Sequence, residues 1–239
     1  MKRLLLVLFL LFSCVYGDIP SLEKLTKTPA QAWVQQGDRW TFKERFEEER
    51  EDIIPLLESM GIFSEKWAQH AHYDYALVLG ALHTAVESRM GHLIEEWKRG
   101  TRFDQIVFLT GQRPLHQEKE AQFLHLRTET AMMVHVWETL EMPPELRDIP
   151  LVVIDAPPLP LRGRPTTEST VYAWLEVNPS PGSVLMVSSQ PFIGYQKAIL
   201  EVLLPAFSIE GVGKEGGRTL PLSVLLDTVG KQHACEALR

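Results

Sequence analysis

Residues 73–111 constrain this chain more than any other stretch. Tyr75-Ala76-Leu77-Val78-Leu79 is an apolar run stopped by Gly80, and Gln105-Ile106-Val107-Phe108-Leu109 is a second, stopped by Thr110-Gly111. Between them Val86, Met90, Leu93, Ile94 and Trp97 recur at helical spacing, while Glu87, Glu95, Lys98 and Arg99 fall off that face. Two buried strands joined through a helix over about 25 residues make a βαβ unit, which sets the strands parallel. Open parallel sheets bind small molecules beyond the carboxyl ends of their strands. Loops 80–84 and 110–113 therefore belong at the binding rim.

The rest of the chain continues the same rhythm. After a long polar loop or lid at 112–125, residues 128–141 read as a helix with Met133, Val136, Trp137 and Leu140 apolar. Leu151-Val152-Val153-Ile154 is a third strand ending at Asp155, and the proline-rich segment 156–165 is an extended loop. Thr166 or Thr167 caps the next helix, which turns Val171, Trp174 and Leu175 inward. Val184-Leu185-Met186-Val187 is a fourth strand leading into Ser188-Ser189-Gln190-Pro191. Residues 195–204 form a helix, 206–209 a fifth strand, 211–217 a flexible segment, and Leu222, Leu225, Leu226 and Val229 begin a terminal helix. The expected fold is α/β, with a mostly parallel sheet of about five strands.

Ahead of this domain (73–239) lie two further segments. Lys2 and Arg3 precede a purely apolar run at 4–12, too short to span a bilayer, so residues 1–17 read as an export signal cut before Asp18. A second reading takes Leu11-Phe12-Ser13-Cys14 as a lipobox, with the chain anchored to a membrane through a lipid on Cys14. A third reading keeps the segment as an uncleaved anchor, and all three place the domain outside the cytosol. Residues 18–72 read as a helical extension, with one helix over 41–60 divided or bent at Pro55 and stopped at Gly61. Its acidic run at 47–52 reads as a solvated helix face, and Trp33 and Trp40 as the residues that pack the extension onto the domain.

Charge and missing motifs narrow the function. The net charge is −7, and without residues 1–17 the chain holds 22 basic against 31 acidic residues. Such a balance disfavours general nucleic-acid binding, which needs basic surface to displace counterions. No G-x-G-x-x-G follows the first strand, and the chain holds no Walker-type G-x-x-x-x-G-K and no G-x-S-x-G. No H-E-x-x-H or cysteine pair proposes zinc, and His70, His72 and Asp74 read as exposed residues before the first strand, so no metal is expected. Once Cys14 is removed or acylated, Cys235 has no intramolecular partner.

Polar residues at the expected rim carry the candidate chemistry. His83 follows the first strand and suits a ligand donor or a general base. Glu129 and Glu168 each stand in the first turn of a helix, where a carboxylate caps or binds a ligand hydroxyl. Arg89 interrupts an apolar helix face and suits an anion anchor or an ion pair.

Taken in order, Val78-Leu79-Gly80-Ala81, Arg89, Leu109-Thr110-Gly111-Gln112, Glu129 with Met133, Thr166-Thr167-Glu168-Ser169, Val187-Ser188-Ser189-Gln190 and Lys197-Ala198 follow the motif order of a known family. Over residues 73–209 the chain resembles the YdcF-like family, the SanA/ElyC type of bacterial envelope-associated domains. It departs where the family has a second glycine (Ala81 and Gln112), an asparagine (Ser169), and a histidine in the region of Phe192-Ile193-Gly194. The resemblance implies a Rossmann-like doubly wound fold, a role in cell-envelope biology, and a nucleotide-type ligand such as S-adenosylmethionine. The expected ligand site is Gly80, Ala81, His83, Thr110, Gly111, Gln112, Glu129, Glu168, Ser189 and Gln190. One alternative is a hydrolase or transferase acting on an envelope precursor, with Glu129, Glu168 or His83 as acid or base. The other is a non-catalytic structural protein with a degenerate site.

Overall fold

The computed structural model describes residues 18–37, 41–160 and 163–239. Residues 1–17, Cys14 among them, and Trp40 lie outside the described residues. In chain order the elements are α1 (Ile19–Thr26), α2 (Arg50–Ser59), β1 (His72–Leu79), α3 (His83–Arg99), β2 (Arg102–Gly111), α4 (Glu129–Thr139), the short α5 (Pro144–Arg147), β3 (Leu151–Ala156), α6 (Thr167–Leu175), β4 (Ser183–Ser189), α7 (Ile193–Leu203), β5 (Ser208–Lys214) and α8 (Leu222–Glu236).

The five strands form one all-parallel sheet in the order β3-β2-β1-β4-β5. The chain winds outward from β1 in one direction, then returns to β1's other side with β4. This is a Rossmann-like doubly wound sheet, and its switch point lies between β1 and β4. Leu79 is level with Leu109, and Val78 with Val187, so the loops after β1, β2 and β4 leave the same rim.

Both faces of the sheet are covered, which is why its central strands are apolar throughout. One face packs Ala76, Val78, Ile106, Phe108, Leu185 and Val187 against Val86, Met90 and Leu93 of α3 and Met132, Met133 and Val136 of α4. The opposite face packs Leu77, Leu79, Val107, Leu109, Val184 and Met186 against Val171 and Trp174 of α6 and Ile199 and Leu200 of α7. α3 ends at Gly100, whose left-handed φ of 108° lets its N–H cap the Glu96 and Trp97 carbonyls. α6 starts with a capping box in which Thr166 and Ser169 satisfy each other's backbone N–H groups.

The N-terminal extension builds a third core on α8. Leu22, Trp33, Ile53 and Leu57 pack with Leu222, Leu225, Leu226 and Val229. Trp33 is fully buried, and its indole N–H donates to the Thr26 and Thr28 hydroxyls. Gly230 makes the approach possible, because a Cβ there would stand 2.7 Å from the Ala30 carbonyl oxygen. Buried Asp227 accepts from the Gln35 backbone N–H at 2.9 Å and from Lys231.

Two expectations are corrected here. The extension's second helix is α2 alone, preceded by a single 3-10 turn (Glu47–Glu49), and Pro55 lies inside it without dividing it. The residues before it are held off helical geometry by Glu44, whose carboxylate accepts from the backbone N–H groups of Arg45, Phe46 and Ser223. The acidic run keeps its solvent exposure, with Glu47, Glu48, Glu51 and Asp52 all exposed. The second correction concerns 211–217, expected to be flexible. Residues 211–214 instead complete β5, paired residue for residue with β4 from Met186 to Ser189. Their glycines serve close approach: at Gly213, with φ of 155°, a Cβ would fall 2.2 Å from the Ser188 carbonyl oxygen.

Candidate functional site

A group of buried ionisable side chains meets at the carboxyl ends of β1, β2 and β4. Its centre is Glu129, the first residue of α4. A Cβ added to Gly80 would lie 2.8 Å from the Glu129 carboxyl carbon, so only glycine lets this carboxyl rest on the end of β1. The local sequence puts it there. Thr128 caps α4 by accepting from the Ala131 N–H, and the Glu129 N–H donates to the Arg113 carbonyl at 2.9 Å.

Arg113 bridges the group. Its guanidinium donates to both Glu120 oxygens, at 2.9 and 3.1 Å, to the Ala81 carbonyl at 3.0 Å, and to Glu129 at 3.4 Å. Glu120, fully buried, also accepts from the backbone N–H of His83 at 3.0 Å and of His116 at 2.6 Å. It thereby caps α3, which has no side-chain cap of its own. Arg89, 2% exposed, reaches across the switch point. It donates to the Leu79 and Gly80 carbonyls at 2.7 and 2.9 Å and to the Ser189 hydroxyl at 3.2 Å, tying the ends of β1 and β4 together.

The two glutamates share Arg113, yet their pKa values shift in opposite directions. Burial raises the Glu129 pKa, and the Arg113 and Arg89 charges only partly oppose it, so its carboxyl stays above the ordinary glutamate value. Burial also acts on Glu120, but the hydrogen bonds from Arg113 and from two backbone N–H groups prevail and hold it below that value. Burial works against the Arg113 charge as well, and the two carboxylates more than offset it. One neighbour is therefore suited to carry a proton and the other to stay anionic.

The expected site residues divide accordingly. Gly80, Ala81, His83, Glu129 and Ser189 come together through Arg113, Glu120 and Arg89. The His83 ring lies over Phe123 with centroids 4.1 Å apart, and its Nδ1 is buried with no hydrogen-bond partner among the described residues. Thr110 is fully buried in β2, and its hydroxyl likewise has no partner among the described residues. Gly111 presses on the Ala156 carbonyl, and Gln112 turns its amide to Asp155, which also accepts from Thr130 at 2.6 Å. These three form the β2–β3 side of the rim.

Two expected residues face elsewhere. Glu168 is exposed on the first turn of α6, and its charge acts on Cys235 of α8 rather than on the Glu129 group. Gln190 turns toward the extension and donates to the Gly61 and Ser64 carbonyls at 3.2 and 2.7 Å. His70, His72 and Asp74 do not converge on one another: His70 packs against Tyr73, His72 pairs with Asp104, and Asp74 accepts from Ser183.

Arg113 and Glu120 are the group's most connected members, and sequence reasoning did not select them. The signal available was an arginine directly after the second strand with a glutamate seven residues on, in a loop too long to be a simple connection. Among the described residues no helix is long and apolar enough to cross a membrane. No protein-family model, curated protein or solved structure matches this chain.

Proposed function

We propose that this chain is an exported domain that binds a small, hydroxyl-bearing molecule of nucleotide type at the rim between β1, β2 and β4, with a role in cell-envelope biology. The observation that carries the reading is the burial of Glu129, Glu120 and Arg89 at that rim around the half-buried Arg113. Burying charged groups costs several kcal/mol even when they are paired, so such a cluster is weak as a stabilising device and well suited to orienting a polar ligand. A protonated Glu129 donates to a ligand oxygen, and Glu120 accepts from a hydroxyl. Export is supported by Lys2-Arg3 followed by the apolar run, and the envelope role by the motif order shared with YdcF-like domains.

Thermal-shift titration with ATP, S-adenosylmethionine and nucleotide-sugar cell-wall precursors tests this reading. A ligand at about 100 times its Kd adds about 2.7 kcal/mol of stability. In a chain of this size that raises Tm by roughly 5–10 °C. Glu129→Gln should abolish the shift while keeping the fold. No shift with any of these compounds at millimolar concentration refutes the proposal.

The opposed protonation of Glu129 and Glu120 favours a second reading, acid–base hydrolysis or transfer on an envelope precursor. It requires turnover of a bound precursor, lost in both Glu129→Gln and Glu120→Gln. Binding without turnover supports the first reading alone.

A further inference from the structure

A second polar cluster lies away from the strand-end rim, on the flank where α3 passes the edge strand β5. His92 of α3 is fully buried. Its Nε2 faces the Lys66 carbonyl at 3.0 Å, and a carbonyl only accepts, so the ring proton sits on Nε2. That leaves Nδ1 as a bare lone pair, buried and without a hydrogen-bond partner among the described residues. The lone pair faces Glu65 Oε1 at 3.9 Å. Glu95, one helical turn on, shares the flank, and His92 Nδ1 and one oxygen from each of Glu65 and Glu95 lie within 4.8 Å of one another.

A cation already stands among these donors. The Lys214 ammonium is 3.0 Å from Glu65 Oε1 and pairs with Glu95 Oε2. Trp67 stacks on His92 at 4.3 Å and offers its ring to Lys214 at 5.0 Å. A lysine with two glutamates is an ordinary ion-pair network, and it accounts for both carboxylates. It does not account for an imidazole locked in one tautomer with its lone pair turned toward the same charges.

That arrangement is the one metal-binding histidines adopt, with one ring N–H fixed by a backbone carbonyl and the other nitrogen free to coordinate. We propose that Glu65, His92 and Glu95 bind a divalent first-row transition-metal ion, and that Lys214 is an internal counter-cation that swings out to admit it. Metal bonds of about 2.0–2.2 Å separate neighbouring tetrahedral donors by roughly 3.4 Å, so the donors need to close only slightly. Both glutamates are part-exposed, at 30% and 45%, and Lys214 at 33% has solvent to swing into. A bound ion would clip the segment before β1 to the side of α3. The inference uses none of the rim residues and stands apart from the function proposed above.

Equilibrium dialysis of untagged protein against Zn²⁺ or Mn²⁺ alone, with thermal melts in parallel, tests it. The parent should bind one ion per chain and melt higher with it. Glu65→Gln combined with Glu95→Gln should weaken binding at least tenfold. Lys214→Met should tighten it about tenfold or more, since it removes a positive charge that opposes the ion. Melts without metal establish that each variant is folded. Should the double variant fail to fold, the comparison of Lys214→Met with the parent decides. The proposal is overturned if Lys214→Met binds no ion. It is equally overturned if a folded double variant binds as tightly as the parent, which would move the ion to another histidine such as His125 or His135.

Discussion

Gly80→Ala offers the sharpest test of the strand-end geometry. Gly80 does not adopt a left-handed φ, so alanine meets no backbone penalty there. The new methyl would instead lie 2.8 Å from the Glu129 carboxyl carbon and 2.9 and 3.0 Å from its two oxygens. All three are closer than a real carbon contact allows, so the carboxyl must move. It is buried and tied to Arg113, so moving it disturbs the whole group. Forcing a methyl into a packed site costs about 1–3 kcal/mol. For a chain of this size that lowers Tm by roughly 4–8 °C at the middle of the range. The decisive measurement is a double-mutant cycle by chemical denaturation. With Glu129→Ala the carboxyl is gone, and the methyl of Gly80→Ala enters the space it left. The second substitution should then cost no more than about 0.5 kcal/mol, giving a coupling of at least about 1 kcal/mol. Equal costs in the two backgrounds would mean that Glu129 does not rest on Gly80, and the description of the site would fail.

Other outcomes follow from the same coordinates. Because Glu129 holds its proton above the ordinary value of 4.5, the folded state binds a proton that the unfolded chain has released. Stability should therefore fall as pH rises from about 4.5 through the folded value, and Glu129→Gln should gain on the parent across that window; a constant difference between the two from about pH 4 to about pH 8 refutes this. Trp33→Ala removes the fully buried indole that seats the extension on α8 and should cost about 3–5 kcal/mol, seen as a lower denaturation midpoint and faster proteolysis of residues 18–60. Gly213→Ala sets a methyl against the Ser188 carbonyl in the left-handed region of φ and should cost at least about 2 kcal/mol by denaturation; a neutral result would contradict the β4–β5 register.

The framework was legible because it depends on strong periodic signals. The apolar runs ending at Leu79, Leu109, Ile154 and Val187 are all parallel strands, and the α3 face read from Val86 to Trp97 is buried as expected. The polar part of α3 was harder to read. Arg89, His92 and Glu96 are buried among apolar neighbours, each held by backbone groups from distant segments, and helical spacing alone would place such residues in water. The same holds for Gln190, whose amide is claimed by carbonyls about 130 residues earlier in the chain. Glycines in 211–217 suggested a loop because composition does not separate conformational freedom from close packing. At the rim, Gly80 belongs to the expected ligand site, and the space its missing side chain leaves is taken by the chain's own glutamate.

Lys66, in the segment before β1, forms a two-way antiparallel bridge with Gly213, its N–H donating to the Gly213 carbonyl and its carbonyl accepting from the Gly213 N–H. β5 is the last strand of the sheet, and an unpaired border is where foreign strands add on. The extension thus pairs that border at Gly213 while it shields the apolar side of α8. A chain trimmed to start at residue 73 would lose both coverings at once, together with the carbonyls that hold Gln190 and His92, and the border of β5 would lie open to a foreign strand.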